Sequence, residues 1–395
     1  MSTELDYDPY NPEIVKDPYP VYRRLREEAP LYYNAAYDFY AVSRYEDCTN
    51  GLNDWQTFPS RRGGILEIIK AGIDLPPGTV IFEDPPTHDI HRGLLARAFT
   101  PRKISALEEK VREFTAECLD PLVGRDRFDI IAELGSVMPM RVIGLLFGIP
   151  DSQLAAVRET ADDLLRTEVG GQMDYGKREM LGADVIADYV DWRIDNPSDD
   201  MMTDLLSTEF EDVDGIRRKL TRDEVVTYAT VVTGAGNETT NRLIGWMTTT
   251  LDQFPDARRD LVADPALIPN AVEETVRYEP PGPHIARYVA KDTEFHGQTV
   301  PEGSAILFVV AAANRDDRRY PEPDRFDVRR NIGSQLGFGL GPHYCLGAAL
   351  ARLEARVALE EMLKRFPEWS VDYSGAQLSP TSTVRGWETL PISVG

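Results

Sequence analysis

The sequence predicts a mainly α fold, rich in helix with small peripheral β-sheets, in a single domain spanning residues 1–395. Three features predict it. Leu220 to Phe254 reads as one long helix, and a second strong helix follows the glycine-rich loop Gly337–Gly347 and ends before Pro367. From Pro86 to about Asp252 the pattern is mostly helical, punctuated by Pro101 and Pro150, with Pro255 following, each placed where a proline can open a helix. Strand-like segments are short, which leaves small peripheral sheets beside a helix-rich whole.

The aromatic stretch Leu31–Val42 alternates loosely around Asn34–Asp38 and predicts a β-hairpin. The long helix opens on a capping box, Thr221-x-x-Glu224, which satisfies orphan amides at its start. About 30 residues at 1.5 Å each run about 45 Å, so this helix must cross the core. Its middle, Val231-Val232-Thr233-Gly234-Ala235-Gly236-Asn237-Glu238-Thr239-Thr240, breaks the local rules for a helix. Each glycine costs about 1 kcal/mol against alanine, and such a break in mid-core points to function. A helix over Pro269–Tyr278 stops before Pro280-Pro281. Strands are predicted near Ile285–Val289 and Ala305–Val310, then a polar irregular stretch over Asn314–Asn331, and short strands at the C-terminus.

Composition narrows the function. The net charge of −23 argues against nucleic acid, which needs concentrated Lys and Arg. There is no run of eighteen apolar residues and no signal-peptide pattern in Met1–Tyr10, so a cytoplasmic protein without a membrane anchor is expected. The three cysteines, Cys48, Cys118 and Cys345, form no C-x-x-C pair, which excludes a four-cysteine metal site and fits a reducing compartment. A monomer is the default expectation.

Only Cys345 has an unusual setting. It follows Gly337-Phe338-Gly339-Leu340-Gly341-Pro342-His343-Tyr344 and precedes Leu346-Gly347 at the mouth of a helix. Glycines at alternate positions permit positive φ and close approach to a flat ligand. A helix N-terminus favours the thiolate, the form that binds metal. Gly347 would let helix and ligand meet closely. The glycines do not complete the G-x-G-x-x-G of a dinucleotide turn.

The run Phe338-Gly339-x-Gly341-x-His343-x-Cys345-x-Gly347 resembles the haem-binding signature of the cytochrome P450 family at every expected position. The resemblance extends from Asp17-Pro18-Tyr19-Pro20 to Leu390-Pro391. It implies the P450 fold, haem b (iron protoporphyrin IX) as cofactor, and Cys345 as the iron ligand, a thiolate that favours O–O cleavage. Glu274-x-x-Arg277 resembles the family's buried pair, with Arg325 in the proline-rich meander as third member. The pair would brace the haem core, so Arg277→Ala would yield protein without haem. Ala235-Gly236-x-Glu238-Thr239-Thr240 resembles the oxygen-activation segment. Ala235 and Gly236 would leave room for O2, Thr239 would deliver a proton, and Glu238 would relay protons from solvent. His88, Arg92, Arg287 and His343 match the contacts to the haem propionates. His91 and His296 read as surface histidines.

The function implied is a mono-oxygenase that inserts one oxygen atom of O2 into an apolar small molecule of the lipid, terpenoid, steroid or polyketide class. Electrons would come from NAD(P)H through a separate ferredoxin or flavodoxin and its reductase. The apolar substrate segments are Arg61–Leu75, Val231-Val232, Pro283–Ala286 and Thr383-Val384, with Arg61, Arg62 or His284 as anchors for a carboxylate or carbonyl. An acidic ferredoxin would dock on Arg97, Arg102, Lys103, Arg352 and Arg356. Peroxide-driven oxidation is disfavoured because Glu238 and Thr239 supply a proton route. A haem-based gas sensor is the non-enzymatic alternative.

Overall fold

The computed structural model describes residues 5–73, 75–76, 78–173 and 183–395; Met1 to Glu4 and Asp74, at the end of the first expected substrate segment, lie outside them. The long helix is continuous over Arg222–Gln253, 32 residues, and Thr221 and Glu224 make the reciprocal capping box. Gly234 and Gly236 do not break it. The reason at Gly236 is packing: a Cβ there would lie 2.7 Å from Ile143 Cδ1 on the helix Met138–Phe147. The C-terminal half is immersed in the core, with Thr240 to Leu251 all buried. Around it pack Met138–Phe147, Asp151–Leu165, Ala183–Asp195 and the last long helix, Ala348–Arg365.

The expected hairpin pairs Leu31–Asn34 with Phe39–Val42. It is the edge of a four-stranded sheet. Phe39–Val42 runs parallel to Ala305–Phe308, which pairs antiparallel with Ile285–Tyr288. Three short strands, Arg127–Asp129, Trp369–Val371 and Pro391–Val394, form a second sheet that ties the chain's end to its first half. A hairpin of Glu209–Glu211 and Arg217–Lys219 interrupts the stretch predicted as helical. Its charged strands carry no apolar alternation, so the sequence pattern does not show it.

Among the described residues no single helix is long and apolar enough to cross a membrane, and the one bent pair that comes near it turns through 115°.

Candidate functional site

Four segments meet around one internal cavity of about 390 Å³. They are the helix Thr87–Ala96, the middle of the long helix, the strand Ile285–Tyr288 and the Cys345 loop. The loop is shaped by its glycines in two ways. Gly339 and Gly341 have φ of 70° and 69°, which favours glycine. Gly337 instead serves close packing, since a Cβ would lie 2.7 Å from the Val276 carbonyl oxygen. The Cys345 N–H donates to the Phe338 carbonyl at 2.8 Å, closing the loop just before the helix that starts at Ala348. Cys345 keeps accessible surface, and that surface faces the cavity. Burial pushes its thiol up, opposed by the Gly347 amide and by Arg92 and Arg352.

The structure brings most of the expected residues together. His88, Arg92, Ala235, Gly236, Thr239, Arg287, Gly339, His343, Cys345 and Gly347 all line the cavity. Nothing stands within 4 Å of where a Gly347 Cβ would be, so the space over Cys345 is open. Two of the expected residues do not line it. Phe338 lies behind the loop, with the Arg352 guanidinium 4.3 Å from its ring centroid, and braces Cys345 only through its carbonyl. Glu238 is buried and ion-paired with Arg242, whose Nε donates to its Oε1 at 2.9 Å. The Thr239 hydroxyl donates to the Ala235 carbonyl at 2.7 Å, the back-bond expected of a helical threonine.

One side of the cavity gathers basic groups, among which His88 Nδ1 pairs with the Asp89 carboxylate at 3.0 Å. His88 and His343 lie with ring centroids 4.3 Å apart, and both Nε2 atoms are buried without a partner. Burial pushes Arg287 down to about 10, and burial, Arg287, His88 and Arg92 together hold His343 down at about 3. Buried polar atoms left this way are costly, and with the Arg92 and Arg287 guanidiniums beside them the arrangement fits a ligand carrying carboxylates at that edge. A flat dianionic macrocycle seated over Cys345 meets this requirement.

The chain is related over its full length to proteins of known family. A profile of the family described as "Cytochrome P450" matches residues 260–387. "Putative cytochrome P450 123" of Mycobacterium tuberculosis is 37% identical, over 99% of this chain and 97% of that protein. The chain belongs to the cytochrome P450 family. "Cyclomarin C epoxidase CymV" of Salinispora arenicola is 33% identical over 94% of both chains. The solved structure of cytochrome P450 CYP109Q5 from Chondromyces apiculatus superposes with a TM-score of 0.86, at 33% identity, covering 99% of this chain and 98% of that one. The expected P450 fold and haem cofactor hold, and the protein is a haem-dependent mono-oxygenase.

Other details of the P450 scaffold depart from expectation. The third member of the Glu274–Arg277 cluster is Arg330. Its Nε lies 3.0 Å from Glu274 Oε1, whereas Arg325 points outward to Glu322 at 3.4 Å. Only the Arg325 carbonyl joins the cluster, as an acceptor for Arg277 and Arg330. His91 is a core residue, bonded through Nδ1 to Glu83 at 2.8 Å and packed edge-on against Tyr228. His296 is exposed, as expected, and pairs with Asp47. Arg61 pairs with Asp84 and Arg62 stacks over Tyr288, and neither lines the cavity.

Sequence reasoning missed Glu354. It lies fully buried on the last helix and lines the cavity, with Oε1 unpartnered. Burial pushes its carboxyl up to about 8, and the adjacent Thr240 hydroxyl offsets part of that. The signal was present: Leu350, Glu354, Val357 and Ala358 fall on one helical stripe that is otherwise apolar.

Proposed function

We propose that the protein hydroxylates or epoxidises an apolar small molecule of the lipid, terpenoid, steroid or polyketide class, with Cys345 holding the haem iron. The observation that carries this reading is the cavity over Cys345, walled by Ile65, Val80, Phe82, Phe99, Val231, Val232 and Ile285. Such walls suit a substrate bound mainly by burial of apolar surface. The epoxidase name of the Salinispora relative supports oxygen insertion as the type of reaction.

The haem supplies activation of dioxygen and insertion of one oxygen atom. The chain's residues do the rest. His88, Arg92, Arg287 and His343 would hold the two propionates, which would give the unpartnered Nε2 atoms their partners. Ala235 keeps the helix face low beside the reacting centre. Thr239 Oγ1 releases the Ala235 carbonyl and passes a proton into the cavity. When Arg242 lets go of Glu238, that carboxylate takes up a proton from solvent and passes it on to Thr239 Oγ1, so Arg242 is part of the relay. The apolar walls exclude water and hold the substrate close to the reacting atoms.

Electrons arrive from NAD(P)H through a separate ferredoxin or flavodoxin and its reductase. Of the five cations expected at the docking face, Lys103, Arg352 and Arg356 are engaged by Asp204, Glu273 and Glu108. Arg97 and Arg102 are exposed and have no ion pair among the described residues, so they are the groups that meet an acidic partner. A cytoplasmic setting is consistent with three free cysteines.

The test is a spectral titration of the purified ferric protein with fatty acids, terpenes, steroids and aromatic acids. A low-spin to high-spin shift with an apolar member supports the substrate class. A shift only with small polar acids would refute it. Cys345→Ala should abolish the red-shifted ferrous–CO band, and survival of that band would remove Cys345 as ligand.

A further inference from the structure

The cavity wall contains one polar ring that the haem chemistry does not use. His284 follows the Pro281–Pro283 turn and lines the cavity beside Ile285. Its Nδ1 is buried with no hydrogen-bond partner. Its Nε2 keeps accessible surface and has no partner among the described residues either. The backbone around it is well tied: Ala311 N–H donates to the Pro283 carbonyl at 3.0 Å, and Arg385 N–H to that of Pro281 at 2.7 Å. The buried Nδ1 destabilises the empty protein, because a buried polar atom without a partner has lost its water for nothing. The accessible Nε2 is the atom a ligand can reach.

The surroundings say what kind of ligand. Burial holds His284 down at about 4, with Glu67 offsetting only part, so the ring is neutral at pH 7. Of the basic groups in the cavity wall, Arg92, Arg287, His88 and His343 lie at the propionate edge. A substrate carboxylate would therefore enter a desolvated cavity with no cation to spare and with the carboxylate of Glu67 near His284, which is unfavourable. A neutral imidazole can donate to a carbonyl or pair with a hydroxyl.

We propose that His284 is the specificity-determining anchor for an uncharged oxygen function, a hydroxyl or ketone, on an otherwise apolar substrate. This rests on the reading of the cavity as the substrate site of a haem mono-oxygenase. It narrows the substrates from apolar molecules at large to alcohols and ketones, and it excludes free fatty acids as the preferred class.

The experiment compares the wild-type holoenzyme with His284→Phe, a substitution that keeps an apolar ring in the same space. Spin-state titrations use four probes of equal length: dodecane, 1-dodecanol, 2-dodecanone and dodecanoate. The wild type should bind the alcohol or ketone at least about fivefold tighter than dodecane and dodecanoate, and the variant should lose that preference. Tightest binding of dodecanoate, or an unchanged preference in the variant, would overturn the proposal. Thermal unfolding of both ligand-free holoenzymes gives a second reading that needs no probe to bind. Removing an orphaned polar ring should raise the variant's Tm by about 1 to 3 °C. If no probe shifts the spin state, an equal or lower Tm overturns the proposal on its own. The ferrous–CO band is read in both proteins. Its absence from the wild type would sink the haem-thiolate reading itself, whereas its presence in both confines any failure to His284.

Discussion

His88 and His343 come from segments 255 positions apart, yet their ring centroids lie 4.3 Å apart and both Nε2 atoms are buried without a partner. Each Nε2 is therefore uncommitted, and each can donate to a carboxylate when the ring carries its proton there. His88→Phe and His343→Phe should each accelerate haem loss, by roughly 5- to 150-fold for a hydrogen bond to a carboxylate worth about 1–3 kcal/mol. Transfer of haem to apomyoglobin measures this directly. Transfer at the wild-type rate from both variants would remove the two histidines from the propionate site.

Arg330 and Arg325 should differ sharply on substitution. Every donor of Arg277 is used, on Glu274, Asn314, Pro323 and Arg325, and Arg330 completes the Glu274 carboxylate from a nearly buried position. Arg330→Ala leaves a buried charge short of a partner and should cost about 3–5 kcal/mol. Arg325→Ala removes an exposed pair and should stay within about 0.5 kcal/mol. Urea unfolding followed at the haem band decides between them, and equal losses would contradict the assignment of Arg330.

Glu354 sets a pH dependence whose sign follows from burial. Its folded-state carboxyl is pushed up to about 8, against 4.5 for an exposed one. Between those values the folded protein holds a proton that the unfolded chain has released. Stability therefore falls as pH rises through this window, by on the order of 1.4 kcal/mol per pH unit, and the protective effect is complete only below the unfolded value. Glu354→Gln stays neutral and should lose this slope. Unfolding free energies of the two proteins from pH 5 to pH 8.5 should diverge with rising pH in favour of the variant. Parallel curves would mean that Glu354 ionises freely.

Electron delivery should depend on the two uncommitted cations. The double variant Arg97→Ala with Arg102→Ala should slow reduction by an acidic ferredoxin several-fold at low salt, and the difference should shrink at high salt. Arg356→Ala should matter less, because Arg356 is already held by Glu108 and Glu360. Stopped-flow reduction under CO reads both, and a larger effect at Arg356 would relocate the docking face.

What the sequence determined by itself is local. The capping box of Thr221 and Glu224, the turns that need Gly339 and Gly341, and the placing of Cys345 before a helix depend on residues within one or two turns of each other, so spacing alone reveals them. The haem motifs were legible for the same reason, since each is a short run with fixed offsets. Tertiary structure decided where side chains point once distant segments meet. It chose Arg330 over Arg325, because only Arg330 folds back onto the helix that carries Glu274. It turned Phe338 away from the cavity and fixed Arg242, the partner of Glu238 one helical turn away, through the carbonyl of the distant Trp387. It buried His91 against Tyr228 and left His284 without a partner in the cavity wall. A residue's neighbours along the chain constrain its backbone, whereas its burial and its hydrogen bonds are set by elements hundreds of positions away, and on those the local pattern is silent.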